Sequence, residues 1–253
     1  MHNNVAQDTN SLLACLSDHA WQHWRPQLQV VHLTAEQVLF EAGDPLRHNY
    51  FPTTAIVSLL HILEDGACTE LAMTGREGMV GISAFMGSNS APCRCVVQQS
   101  GLAYRIRSDF VQAEFETSAD VMQVVFRFMQ ALFTQMSQVA VCNRHHGIEQ
   151  QLARWLLLNF DRLDTDVLPI TQEKMANLLG VRREGITRAA CALQDGGAIR
   201  YRRGHMHLLS REGLRRRACE CYDVVSTGYG LLRADTVHTP WHAPSLERTE
   251  CQP

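Results

Sequence analysis

Residues 171–197 read TQEKMANLLGVRREGITRAACALQDGG, and this stretch decides the fold. It holds two short helices around one tight turn. Thr171 can N-cap the first helix, although Lys174 stands where a capping box would need Glu or Gln. Met175, Leu178 and Leu179 mark its buried side, and Gly180 supplies the left-handed residue that lets the chain turn sharply. On the second helix Ile186, Ala190 and Leu193 step by 4 and 3 and face inward. The opposite side carries Arg183, Glu184, Thr187 and Arg188, which project together from the first turns.

Immediately downstream, AIRYRRGHMHLL (198–209) reads as a β-hairpin with Arg203-Gly204 at its tip. Two helices, a tight turn and a basic hairpin make a winged helix-turn-helix. In that arrangement the start of the second helix enters the DNA major groove, and cations on the wing sit against phosphates. The expected base-reading residues are Arg183, Glu184, Thr187 and Arg188. Thr171, Arg182, Arg200, Arg202 and Arg203 are the expected backbone contacts.

Charge is distributed to match. The whole chain of 253 residues has a net charge of −3, but residues 182–217 hold 10 Arg against 3 acidic residues. Residues 1–143 hold 7 Arg and no Lys against 13 acidic residues. Only the basic module is suited to a polyanion.

Upstream, residues 28–106 read as short strands at about ten-residue spacing with Gly-rich turns, a small all-β barrel or roll preceded by a short helix from Ser11 to Trp24. The period changes near Asp109. Residues 120–145 hold no Gly or Pro, and Val121, Val125, Phe128, Leu132, Gln135, Val139 and Cys142 step by 4, 3, 4, 3, 4 and 3. That heptad stripe is expected to be the seam of a homodimer, because one barrel cannot cover both apolar faces of so long a helix. A second helix is expected over Ile148–Leu163, then a polar loop from Asp161 to Pro169.

At Ile170–Leu214 the sequence resembles the Crp/Fnr family of bacterial transcription regulators. The matching elements are Leu-Leu-Gly-Val, Arg-Glu three residues after the Gly, Thr-Arg, and Gly-x-Ile before the wing. Upstream, Phe40-Glu-Ala-Gly-Asp44 and Gly75-Arg-Glu-Gly-Met-Val-Gly81 are similar to the family's effector domain. The resemblance implies an α+β fold: an N-terminal double-stranded, jelly-roll-like β-roll (1–119), a long dimerisation and connector helix (120–146) and a C-terminal winged helix-turn-helix (147–222). A tail (223–253), rich in Gly, Pro, His, Thr and acids, is expected to be mobile. The resemblance also puts Arg183, Glu184 and Arg188 at the family's base- and backbone-reading positions. Arg182 stands where the family usually has Ser or Thr, which weakens the N-cap and adds a phosphate-seeking charge.

The family's cyclic-AMP branch uses a Glu after the Gly turn and an Arg-Ser or Arg-Thr pair before the next strand. Here Ile82 follows Gly81, and Ala91-Pro92 aligns with the pair. An effector pocket, if formed, would involve Gly78, Gly81, Ile82 and Arg94, and cyclic AMP is not expected to bind. The single N-terminal Cys15 argues against an iron–sulfur cluster of the family's type. Cys93-x-Cys95 and Cys219-x-Cys221 lack the two-residue gap usual in zinc knuckles, and His145-His146 and His205-x-His207 read as surface, so no metal is expected.

No catalytic motif stands out, so an enzyme is not expected. There is no run of about 18 apolar residues, the start Met1-His2-Asn3-Asn4 does not read as a signal peptide, and nine cysteines lack a disulfide framework. The expectation is a cytoplasmic homodimer whose partners are double-stranded DNA and RNA polymerase, with no cofactor, no membrane and an unidentified effector. The alternative is a small-ligand or metal/redox sensor acting through protein contacts.

Overall fold

The computed structural model describes residues 9–88 and 90–232. The chain opens with two helices, α1 (Ser11–Ala14) and α2 (Asp18–Trp24), where the sequence suggested one. The break has a local cause. The Ser17 hydroxyl accepts from the Ala20 N–H and starts a new helix, as Asn10 does for α1.

Two antiparallel sheets follow. One has the order β1 (Gln29–Leu33), β7 (Gly101–Arg107), β3 (His48–Pro52); the other runs β2 (Val38–Phe40), β6 (Arg94–Gln99), β4 (Ile56–Ile62), β5 (Cys68–Thr74). Leu33, Phe40, Val57, Cys95, Val97 and Ala103, drawn from both sheets, fill the space between them. The β3 segment, His-Asn-Tyr-Phe-Pro, has no apolar alternation and was not legible as a strand. Its fully buried Asn49 is accommodated because the side-chain amide donates to the Gly81 carbonyl at 2.9 Å.

Helix α3 (Ser108–Thr117) leads to α4 (Ala119–His145), 27 residues long. No helix among the described residues is long and apolar enough to cross a membrane. The placement of α4 corrects the expected dimer seam. Val121, Val125, Phe128, Leu132, Gln135 and Cys142 are buried within the chain itself, and Val139 is half-buried. Phe128 lies on Gly78, where a Cβ would collide with its ring. Gln135 is satisfied by the roll: its oxygen accepts from Met73 N–H (2.7 Å), and its nitrogen donates to the Met73 carbonyl (3.3 Å) and to the Tyr229 hydroxyl (2.7 Å). A partner therefore finds this stripe already covered. The stripe left open is Met122, Phe126, Phe133 and Met136, with Phe126 50% and Phe133 58% exposed; Met129, half-buried against the core, completes its spacing of 4, 3, 4 and 3.

After the two-residue join His146-Gly147 comes α5 (Ile148–Phe160), buried from Gln151 onward. Next is β8 (Val167–Pro169), a strand where a loop was expected because it pairs with the wing: His205 lies opposite Pro169 and His207 opposite Val167. Helices α6 (Gln172–Leu179) and α7 (Arg183–Asp195), the hairpin β9 (Ile199–Arg202) and β10 (His205–Leu208), and α8 (Arg211–Arg217) complete the module.

Last is α9 (Cys221–Gly230), which corrects the expected mobile tail over its first residues. Val225, Tyr229 and Leu232 step by 4 and 3 and are buried, and the helix packs on α4. The rest of the expected tail, 233–253, lies outside the described residues.

The two domains share one continuous apolar core, and a polar network is set within their seam. Glu70 of β5 accepts from Ser58 Oγ (2.5 Å) and from Trp155 Nε1 of α5 (2.8 Å). The Gln98 amide donates to Asn159 Oδ1, also of α5, at 2.5 Å. Desolvation pushes the Glu70 carboxyl up to about 7, against the opposing pull of those hydrogen bonds and of Arg154 and Arg162. Arg162 is buried too; it donates to Glu77 (Nε to Oε1, 2.7 Å) and to the Leu158 carbonyl (2.6 Å), and its guanidinium lies 5.4 Å from the centre of the Tyr229 ring.

Candidate nucleic-acid interface

The two helices of the module are built as the residues require. Thr171 Oγ1 accepts from Lys174 N–H at 3.1 Å, so this hydroxyl acts first as a helix cap. Gly180 closes α6 at φ +65° and also lies close to the roll: a Cβ there would come within 2.7 Å of Thr69 Oγ1. Arg182 occupies the N-cap of α7 with no side-chain capping bond, and it is exposed. On α7, Ile186, Ala190 and Leu193 are buried, whereas Arg183, Glu184 and Arg188 face solvent.

Thr187 departs from the expected group. Its hydroxyl donates to Gln172 Oε1 at 2.9 Å and lies 3.1 Å from the Arg183 carbonyl, so it braces α7 against the start of α6. Its methyl is the part left to meet a base.

The wing turns on two residues of positive φ, Arg203 (+50°) and Gly204 (+78°), with Arg202 paired to His205 across the turn. Such a mirror-image turn matches the twist of the strands but strains a non-Gly residue at its first position. Arg203 stands at the tip of this turn. Arg200, Arg202 and Arg203 are all exposed. Among the described residues, no carboxylate lies within ion-pair distance of Arg182, Arg183, Arg188, Arg200, Arg202 or Arg203. By contrast Arg76, Arg94 and Arg107 of the roll meet Asp164, Glu41 and Asp109. Six uncompensated cations on one helix start and one hairpin are chemically suited to a polyphosphate surface.

The residues expected around an effector pocket each have a partner in the fold. Gly78 is sealed under Phe128, and Gly81 is held in the left-handed region (φ +101°) against Asn49. Ile82 opens a helical turn, Ile82–Met86, and packs toward the apolar core. Arg94 is committed to Glu41 at 3.3 Å.

One group was missed. Cys142, placed by sequence in the dimer seam, His146, read as surface, and Cys219 and Cys221, set aside for their spacing, converge at the end of α4. The signal was divided among elements more than 70 residues apart in the chain. Cys142 and His146 are one helical turn apart, the one local hint.

The comparisons with known proteins agree with this geometry. Residues 150–217 match the model of the Crp-like helix-turn-helix domain, and residues 30–118 match that of the cyclic nucleotide-binding domain. No curated protein sequence gives a significant match. FixK2 from Bradyrhizobium japonicum shares the fold at a TM-score of 0.66 and 13% identity, over 76% of this chain and 98% of that one. A CRP-family transcriptional regulator from Thermus thermophilus does so at a TM-score of 0.61 and 15% identity, over 74% and 96%. The c-di-GMP-responsive global regulator CLP of Xanthomonas campestris gives 0.58 and 16%, over 77% and 100%. With the two domain models matched in order and the long helix between them, the chain carries a cyclic nucleotide-binding domain followed by a Crp-like helix-turn-helix domain, in the fold shared with these solved transcription regulators.

Proposed function

We propose that the protein is a cytoplasmic homodimer that binds a palindromic DNA operator through α7 and the wing, and whose roll does not respond to cyclic AMP. The observation that carries the reading is the set of six arginines that have no carboxylate partner among the described residues. In this reading Arg183 and Glu184 reach base edges, as Arg suits guanine O6/N7 and Glu suits cytosine N4, while Arg188 serves at the groove edge. Arg182, Arg200, Arg202 and Arg203 hold phosphates, and Thr171 orients the first helix.

The second copy docks on the open stripe of α4. Met122, Phe126, Met129, Phe133 and Met136 repeat with the period of a two-helix seam, and a two-fold pair of such helices presents two equivalent reading heads to a palindrome. The roll lacks the means to hold a cyclic phosphate: Ile82, Ala91 and Pro92 offer no side-chain donor, and Arg94 is paired.

Duplex binding measured over a salt series tests the core of the reading. A steep fall of affinity with salt is expected. Binding that is independent of salt would rule it out. Sedimentation of Phe133→Asp tests the dimer face; a variant that stays dimeric would remove α4 from the interface.

A further inference from the structure

The thiol and imidazole cluster at the end of α4 is unused by the reading above. Cys142 lies in the last turn of α4 and His146 follows it. Cys219 and Cys221 flank the start of α9. All four ligand atoms lie within 4.8 Å of one another. Cys142 Sγ is 3.5 Å from Cys219 Sγ, and Cys221 Sγ is 3.6 Å from His146 Nδ1. The three cysteines are buried and touch as a separate cluster, while His146 is half-buried.

We propose that Cys142, His146, Cys219 and Cys221 form a closed, tetrahedral site for one thiophilic divalent cation, zinc above all, which clasps the join between the two domains.

The spacing fits the ion. Bonds of about 2.3 Å to sulfur and about 2.0 Å to nitrogen give tetrahedral edges of about 3.8 Å between sulfurs and about 3.5 Å between sulfur and nitrogen. Three sulfurs and one imidazole favour zinc over magnesium or calcium, which take oxygen ligands. Four protein ligands leave no open position, the pattern of a structural rather than a catalytic metal.

The surroundings fit as well. His146 turns Nδ1 to the cluster and presents Nε2 to Glu220 Oε1 at 3.3 Å. A ligating histidine ordinarily gives its far N–H to such a carboxylate. Three thiolates and one dication leave a charge of −1, and the buried guanidinium of Arg154 beside Cys142 offsets it. The end of α4, where helix carbonyls point outward, adds a favourable potential for a cation. On binding, the cation displaces the thiol protons to solvent, with no change of oxidation state.

The full chain, purified under reducing conditions without a metal-binding tag, provides the test. The expected result is one zinc per chain by elemental analysis. After replacement with Co2+, the absorption should be that of tetrahedral cobalt with thiolate charge-transfer bands. Cys221→Ser and His146→Ala should each lower zinc affinity at least tenfold, and Glu220→Gln, a positioning change, by about tenfold. Cys68→Ser should leave metal content unchanged. Substoichiometric zinc that cannot be restored by added metal, or a Cys142–Cys219 disulfide in non-reducing peptide maps of the protein as purified, would overturn the proposal. Should a ligand variant fail to fold, the cobalt spectrum of the unaltered chain decides alone, because octahedral or thiolate-free absorption contradicts the assigned ligands.

Discussion

The chain treats charge in opposite ways at the seam between its domains and on its winged surface. At the seam Glu70, Arg162 and Arg154 are buried, and the first two are bound by neighbours on both sides. On the wing and the start of α7 six arginines are exposed without a carboxylate partner among the described residues. A buried charge is constrained because losing its partner strands it away from water. An exposed, unpaired charge contributes little to folding and remains available to a ligand. Identical side chains thus serve cohesion in one place and recognition in the other.

The contrast breaks first at Arg162. Arg162→Ala leaves Glu77 in the seam without its cation and should cost about 3–5 kcal/mol, read as a lower urea midpoint. A loss under about 1 kcal/mol, the range of a solvated pair, would show that solvent reaches the seam.

Glu70 should give the next largest effect, as a pH dependence. Its folded value, about 7, lies above the usual 4.5, so the folded state holds the proton more tightly. The stabilisation is complete below pH 4.5, declines as pH rises toward 7 and is then exhausted, a change of about 3 kcal/mol. Glu70→Gln should flatten that segment of the stability profile. An unchanged slope in the variant would assign it to another group.

Smaller effects belong to the surface, where folding should be untouched. Arg183→Ala should leave the urea midpoint in place yet weaken operator binding by about 1–3 kcal/mol, with specificity relaxed at one position per half-site. Arg203→Ala should lower affinity for all duplexes alike and flatten the salt dependence by about one unit. Equal loss on operator and random duplex for Arg183→Ala would move that residue from the bases to the backbone.

The difference between the two regions also explains what sequence could and could not show. The helix-turn-helix and wing were readable because their determinants are local: Gly180 at the turn, Ile186-Ala190-Leu193 inside, Arg203-Gly204 at the tip. The α4 helix was readable as a helix, but both of its stripes repeat every seven residues. Periodicity cannot say which stripe meets the roll. Met73, Gly78 and Tyr229, which decide it, lie far away in the chain. The strand β8 was hidden for the same reason, since its pairing partner β10 is nearly forty residues distant. The four-residue cluster at the join was lost because each member had a plausible local role.

The join itself has a mechanical consequence. Two residues, His146 and Gly147, connect α4 to α5, whose 13 residues span about 20 Å. A swing of about ten degrees at the base of such an arm carries its far end about 3.4 Å, one base-pair step along DNA. Half-sites on a palindrome are met in register or missed by that same step. In the proposed dimer, stiffness at this pivot, more than reach, would set how finely the two reading heads are spaced.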